Sequence, residues 1–574
     1  MSEKSRLMND EWRHVPRIDL PSPVLTLLAS KDGLWAGGFG GVARYTELEG
    51  WTLLSAGLAL RTVTTLARNY GSLLAGGEGG IARSLNGGLA WQRCAVPGEV
   101  GTVTDLALSP RFEEDCTALA ATLDNGILRS TDYGQTWHAS SFGLQSPEVA
   151  ALAWETDETV VAATSSGLFR SPNAGRAWRA LASTADTAFA ALAAVGDGEM
   201  VAAPEMGPLL RSSRLLTDWS PAGDLPAEVR ASVVLASGDS RLVLGTADHG
   251  ILHSIDGGCT WSAVSGETAI SLAADETRVF AGTAAGVLKS EDGGETWTDL
   301  PLAPLHDLHR IQVVDGRPVI SGRNCPAVIN DPDGSWTVLS TVPLPLTGLF
   351  ASSQGALLAS TPHGLYRSDD RGRSWQSVVT DTAGCVTQMT FDAEGRGWAG
   401  VTADGSMLRT EDDGRSWARL GAPFGVLPLV ALQSLPGLLI GATYDERQHA
   451  VAIWRSEDAG ERWTRGSDAF TSWPVVATCG SPPLVTVGNV IAVQKADGMW
   501  HRTAVGEMGI RRVVGTGTLV FALAGDGLWR LDERDGSWFR DDIGLPLAQI
   551  ADIALAGKTL YALLAGGWLW SRSV

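Results

Sequence analysis

Cysteine is scarce in this chain of 574 residues: Cys94, Cys116, Cys259, Cys325, Cys385 and Cys479 lie far apart, with no Cys-x-x-Cys pair. That spacing excludes a disulfide framework and a cysteine zinc site, and it suits a reducing compartment. Basic residues are outnumbered, 44 against 64 acidic, for a formal charge of −20, so a nucleic-acid backbone is not an expected partner. No apolar run approaches the roughly eighteen residues of a membrane-spanning helix, and no membrane partner is expected. The opening stretch, Met1 to Arg17, has charges but no apolar segment of the signal-peptide kind, which makes the cytoplasm the expected location. Phosphate-loop and dinucleotide fingerprints are missing as well, so no cofactor is expected.

Glycine (68) and tryptophan (22) are abundant. A tryptophan returns about every forty residues, closing the phrase Ser-x-Asp-x-Gly-x-Thr-Trp. Clean copies pair Asp132 with Trp137, Asp256 with Trp261, and Asp292 with Trp297; near copies pair Asp370 with Trp375, Asp412 with Trp417, and Asp458 with Trp463. Further near copies end at Trp91 and Trp178, and worn ones at Trp51, Trp219, Trp336, Trp500 and Trp538. Within one period, residues 268–300 read as four short strands separated by turns, an antiparallel meander. The aspartate is expected to accept N–H groups of its own turn, the glycine to supply a positive φ, and the tryptophan to fold onto the neighbouring sheet. This is a structural staple; it lacks the carboxylate-rich spacing of a calcium loop, and no metal is expected. The column before the motif serine (Arg83, Arg129, Arg211, Arg367 among others) recurs in register, which points to pairing with acids of the next blade.

The phrase resembles the Asp-box repeat of sialidases, sortilin-type receptors, photosystem II assembly propellers and tandem-propeller xyloglucanases. The resemblance spans nearly the whole chain and implies an all-β fold of β-propellers. Thirteen motif tryptophans, a lone strand at Trp12 and three closing strands from Ile550 make fourteen blade equivalents. Rings of four to eight blades are usual, so the expectation is two tandem seven-bladed propellers, 1–294 and 295–574, with six plus eight as the other division. Each ring is expected to be closed by its own N-terminal strand: that of Trp12 on the sheet ending at Ser290, that of Trp297 on the sheet ending at Ser571.

Propeller ligands gather where loops converge opposite the Asp-box hairpins, here the connections between second and third strands. These offer Phe39, Glu78, Asp124, Asn125, Glu205, Met206, Asp248 and His249 in the first ring. The second offers Asn324, His363, Asp404, an excursion from Tyr444 to His449, and Asp526. Glu78, Asp124, Glu205 and Asp248 make the first rim acidic, and carboxylates a few ångströms apart are what glycoside hydrolysis uses. Asp-Gly turns, however, favour aspartate whatever the function. Trp473, beside Pro474, is a candidate anchor for a protein partner. His306 and His309, in a proline-rich connection, read as a solvated loop rather than a zinc site.

The layout is most similar to the tandem xyloglucanases, whose early Arg-Thr-Asp-x-Gly-Gly phrase carries a catalytic aspartate. The corresponding place, Ala43 to Trp51, has neither that aspartate nor its glycines. The main expectation is therefore a non-enzymatic scaffold holding protein partners, with no catalytic residue assigned. The alternative is a glycan-binding protein or glycoside hydrolase with a carboxylate-lined cleft.

Overall fold

The computed structural model describes residues 11–15 and 22–574, apart from 56, 61, 70, 197, 214–215, 224, 226–228, 237–239, 304, 307, 315, 323–325, 332, 340–345, 381–385, 402–403, 426, 428, 446–449, 466–483, 488–489, 495–499, 506–508, 517–518, 533–536, 546–549 and 565–566. Among the described residues the strands form fourteen antiparallel sheets. Thirteen have four strands; one (Leu484–Val487, Val490–Gln494, Trp500–Ala504) has three. The chain divides into two compact units of seven sheets each, Asp19–His306 and Met1–Ile18 with Asp307–Val574. We call the first the inserted ring and the second the split ring.

One blade shows the local logic. Ala269–Ala274, Val279–Thr283, Val287–Ser290 and Thr298–Asp299 form a meander in which each strand pairs with the next. The second strand is buried on both faces, so it reads Val-Phe-Ala-Gly-Thr with no polar alternation. First strands of neighbouring sheets touch one another, which makes them the innermost strands of the ring. Most of them carry a bulge, here between Ala269 and Ser271, that bends the strand at its entry. Between blades lie apolar cores such as Leu74, Ile81, Val103, Leu106, Leu128 and Trp137.

The two rings close differently, and here the expected strand exchange is corrected. Thr298–Asp299 returns onto its own sheet (Lys289 opposite Thr298), so Trp297 does not reach the C-terminal strands. The hairpin at Asp292 completes that blade locally, and a short loop costs less closure entropy than a distant partner. Arg13–His14 instead pairs with Trp568–Ser573, Arg13 opposite Ser571 and His14 opposite Trp570. The expected division at 294/295 therefore moves to 306/307, and residues 1–18 join the C-terminal half.

The inserted ring closes by packing of complete blades. Val24 N–H donates to Thr283 O at 2.9 Å, Trp51 Nε1 to Pro301 O at 2.6 Å, and Leu27 and Leu34 share a core with Phe280 and Leu300. A Cβ on Gly282 would lie 2.3 Å from Ser271 Oγ and 2.7 Å from Val24 O, so the seam admits only glycine there. In the split ring, Trp12 is 8% exposed among Phe521, Ile553 and Leu560, with the Arg572 guanidinium 4.7 Å over its ring.

Candidate functional site

The Asp boxes stitch blade to blade. Asp132 accepts the Ser130 hydroxyl (2.7 Å), the N–H of Gln135 and Thr136 (3.0 and 2.9 Å) and the Thr136 hydroxyl (2.5 Å). Trp137 turns back to donate to Gly134 O at 2.9 Å. The same set recurs at Asp256, Asp292, Asp370 and Asp412; at Asp458 the Arg462 guanidinium stands in for the hydroxyl. Hydrogen bonds from Thr260 hold Asp256 down at about 2, and those from Ser374 and Arg462 do the same for Asp370 and Asp458. Two residues in a row take positive φ, and the first need not be glycine: Tyr133 (60°) precedes Gly134 (79°).

That first residue's carbonyl is where the arginine column goes. Arg83 donates to Tyr133 O, Arg129 to Ala174 O at 2.9 Å, Arg211 to Gly257 O at 3.0 Å and Arg367 to Asp413 O, each on the following blade. The expected pairing with acids of the next blade occurs as well: Arg409 donates to Glu461 at 3.0 Å, Arg367 lies 3.3 Å from Asp413 Oδ2, and Lys289 lies 3.4 Å from Glu47.

The rim candidates occupy the expected connections. Glu78, Asp124, Glu205, Asp248, His249 and His363 are exposed. Each is engaged in its own neighbourhood. His249 Nδ1 lies 2.9 Å from Asp248 Oδ1, and that bond keeps Asp248 below the usual carboxylate range. Gly101 N–H donates to Asn125 Oδ1, and Asp124 lies so close that a Cβ on Gly101 would be 2.4 Å from its carboxylate. Glu205 N–H donates to Ala188 O, and Met206 is exposed beside it. Gly40, next to Phe39, donates to Leu305 O. Asp404 accepts Ser406 N–H and pairs with Arg419, while Asp526 accepts the Trp529 indole N–H at 3.3 Å.

Two placements correct the sequence reading. Tyr444 is 5% exposed and packs with Ile440 and Ile453, because the strand Leu438–Asp445 runs on through it. His306 is buried and His309 sits in the strand Leu308–Val314, so neither lies in a solvated loop. Trp473, Asn324 and residues 446–449 of the excursion fall outside the described residues. Among the described residues no cluster of His, Cys, Asp and Glu could hold a metal ion, and no helix is long and apolar enough to cross a membrane.

A cavity of about 670 Å³ opens in the inserted ring from turns that sequence reasoning did not single out. These join the first and second strands of blades one and seven, and Arg68 and Asn69 end the innermost strand of blade two. Arg68 donates to Ser30 Oγ (2.7 Å) and Asp32 (2.6 Å), with its guanidinium 4.4 Å over the Trp35 ring. Arg278 makes two bonds to Asp275 Oδ2 (2.7 and 3.0 Å) and lies 3.6 Å from Glu47 Oε1, the oxygen that Lys289 also approaches at 3.4 Å. The Arg68 hydrogen bond lowers Asp32; burial raises Asp275 but its bonds, Arg278's foremost, outweigh it. Both carboxylates are thus held ionised beside fixed guanidinium donors. Acceptors and donors in fixed adjacent pairs can bind neighbouring hydroxyl groups; these two acids cannot serve as proton donors near neutral pH.

Asp-box β-propeller is the class that this architecture defines, and residues 365–378 match the BNR-Asp box repeat. No curated protein sequence matches the chain. Solved structures do resemble it along its length. A GH74 enzyme of Niastella koreensis is 14% identical (TM-score 0.72), covering 98% of this chain and 99% of its own. The GH74 xyloglucanase of Xanthomonas campestris is 16% identical (TM-score 0.60), covering 98% and 100%. An ancestral GH74 enzyme is 13% identical (TM-score 0.53), covering 98% and 99%. These full-length neighbours overturn the expectation of a non-enzymatic scaffold: the three structures, which share the chain's fold along its whole length, are those of GH74 enzymes.

Proposed function

We propose that the protein recognises glycans, and that the cavity at Asp32, Arg68, Asp275 and Arg278 contributes to the binding surface. The likeness of both rings together to GH74 enzymes carries this reading, since it covers almost all of each chain. The cavity chemistry supports it. A neutral polysaccharide presents vicinal hydroxyls and no charge, and ion-paired Asp–Arg couples offer acceptor and donor side by side without demanding a charged ligand. The trough is also roomy enough for a sugar residue or two.

The test is a panel of neutral polysaccharides, xyloglucan included, assayed by calorimetry for binding and by reducing-end release for hydrolysis. Binding to one class is expected, weakened about tenfold or more by Arg68→Gln and Asp275→Asn. Release of reducing ends makes the protein a hydrolase, and binding without release makes it a glycan receptor. Neither binding nor release across the panel overturns the proposal.

A further inference from the structure

The axes of the two rings differ in charge. In the split ring the innermost strands are Leu308–Val314, Gly348–Ala351, Val386–Phe391, Leu429–Leu435, Leu484–Val487, Ile510–Thr516 and Ile550–Ala556. Together they contain three arginines, Arg310, Arg511 and Arg512, and one acid, Asp552. These four come from three consecutive blades, the sixth, seventh and first. Arg310, Arg512 and Asp552 share one register, the position just past the strand bulge.

That position faces both neighbours. Asp552 is 7% exposed; its Oδ2 accepts Ile311 N–H of the first blade at 3.1 Å, and its Oδ1 lies 3.6 Å from Arg512 Nε of the sixth. Arg511 donates through Nη2 to Ile550 O at 2.8 Å, while the Nε atoms of Arg511 and Arg512 are buried with no hydrogen-bond partner among the described residues. No ion pair within 4 Å closes on Arg310 among the described residues. Burial pulls both Arg310 and Arg511 below the ordinary arginine value, and Asp552 opposes the fall in each.

One carboxylate cannot neutralise three guanidinium groups. All three arginines are partly exposed, Arg512 to 32%, so an anion can reach them, while the buried Nε atoms of Arg511 and Arg512 leave donors whose burial is costly unless they are paired. The inserted ring has no such excess: the same register holds Thr65, Asp105, Ala151, Ala191, Val233 and Ser271. We propose that the axis of the split ring binds a small oxyanion, held by Arg310, Arg511 and Arg512 in competition with Asp552, which offsets part of their charge. The guanidinium fork matches two oxygens of a phosphate, a sulfate or a carboxylate alike. The site does not depend on glycan recognition by the other ring.

The full chain is titrated calorimetrically with inorganic phosphate, sulfate and acetate at ionic strength fixed by chloride. Saturable binding of at least one of them at about one per chain is expected, and the ranking tells tetrahedral from planar anions. Arg310→Gln should weaken it about tenfold or more, Arg310→Lys by less, and Asp552→Asn, which removes the competing carboxylate, should tighten it. Should Arg310→Gln not fold, Arg310→Lys and Asp552→Asn still give opposite signs. The proposal falls if no oxyanion binds beyond chloride, or if these substitutions leave affinity unchanged.

Discussion

The inserted ring and the split ring hold seven sheets each, yet only one is tied by a strand from elsewhere in the chain. The seventh blade of the inserted ring owns all four of its strands, and closure rests on side-chain packing across the Val24–Thr283 seam. The seventh blade of the split ring takes Arg13–His14 as its fourth strand, with Val15 N–H adding a bond to Leu569 O. A strand clasp is therefore not what makes a propeller ring; a well-filled seam between complete blades suffices. The clasp fixes topology instead, since the whole inserted ring is a passage between two parts of the split one.

The sharpest way to break this comparison is to remove the clasp. Trp12→Ala empties a buried indole site and should cost about 3–5 kcal/mol in the split ring alone. Hydrogen exchange should then accelerate in Trp568–Ser573 and stay slow in Val287–Ser290. Equal loss of protection in both strands would mean that the first tryptophan also secures the inserted ring, and the contrast would fail.

A pH titration sharpens the contrast at the axes. Asp105 of the inserted ring accepts Leu106 and Leu152 N–H, both at 2.8 Å, and has no cation beside it among the described residues. Burial pushes it up to about 6, with those two bonds and the Thr65 hydroxyl opposing. Because the folded value lies above the ordinary 3.8, the native state holds the proton more tightly. Its contribution is complete below pH 4 and is lost as pH rises through 6, about 3 kcal/mol in all. Denaturation of wild type and Asp105→Asn between pH 4 and pH 7 should show their stability difference shift by that amount, falling for wild type. A constant difference would sink the idea.

Local signals were legible in the sequence, and non-local ones were not. The Ser-x-Asp-x-Gly-x-Thr-Trp phrase announces a hairpin whose bonds all lie within seven residues, so the blades and their number followed directly. Which lone strand clasps which sheet depends on pairing across the chain. Trp12 and Trp297 look alike by pattern, and only the Asp292 hairpin shows that the second is already committed to its own blade. The rim residues fell on the expected connections because a glycine marks each one, except at Tyr444, where the strand continues past the usual turn. The cavity was missed because Asp32, Arg68 and Asp275 sit at plain strand ends without a motif. The arginine axis was overlooked because Arg310 lies about 200 residues before Arg511, Arg512 and Asp552 and meets them only through ring closure.

The smallest effect expected concerns the boxes. Asn86 and Asn173 stand where the other boxes have aspartate, and their amide oxygens still accept the Ser84 and Ala90 groups, or those of Ser171 and Ala177, at 2.8–3.0 Å. What they lack is the second oxygen that takes the threonine hydroxyl, and in both boxes that position is alanine. Asp132→Asn should therefore cost no more than about 1 kcal/mol, the net worth of one hydrogen bond, while Asp132→Ala strands several donors of the turn and should cost more. Urea denaturation of the two variants measures the gap. If Asp132→Asn proves as damaging as Asp132→Ala, the carboxylate charge rather than its geometry holds the hairpin, and the asparagine boxes must be stabilised by their blades instead.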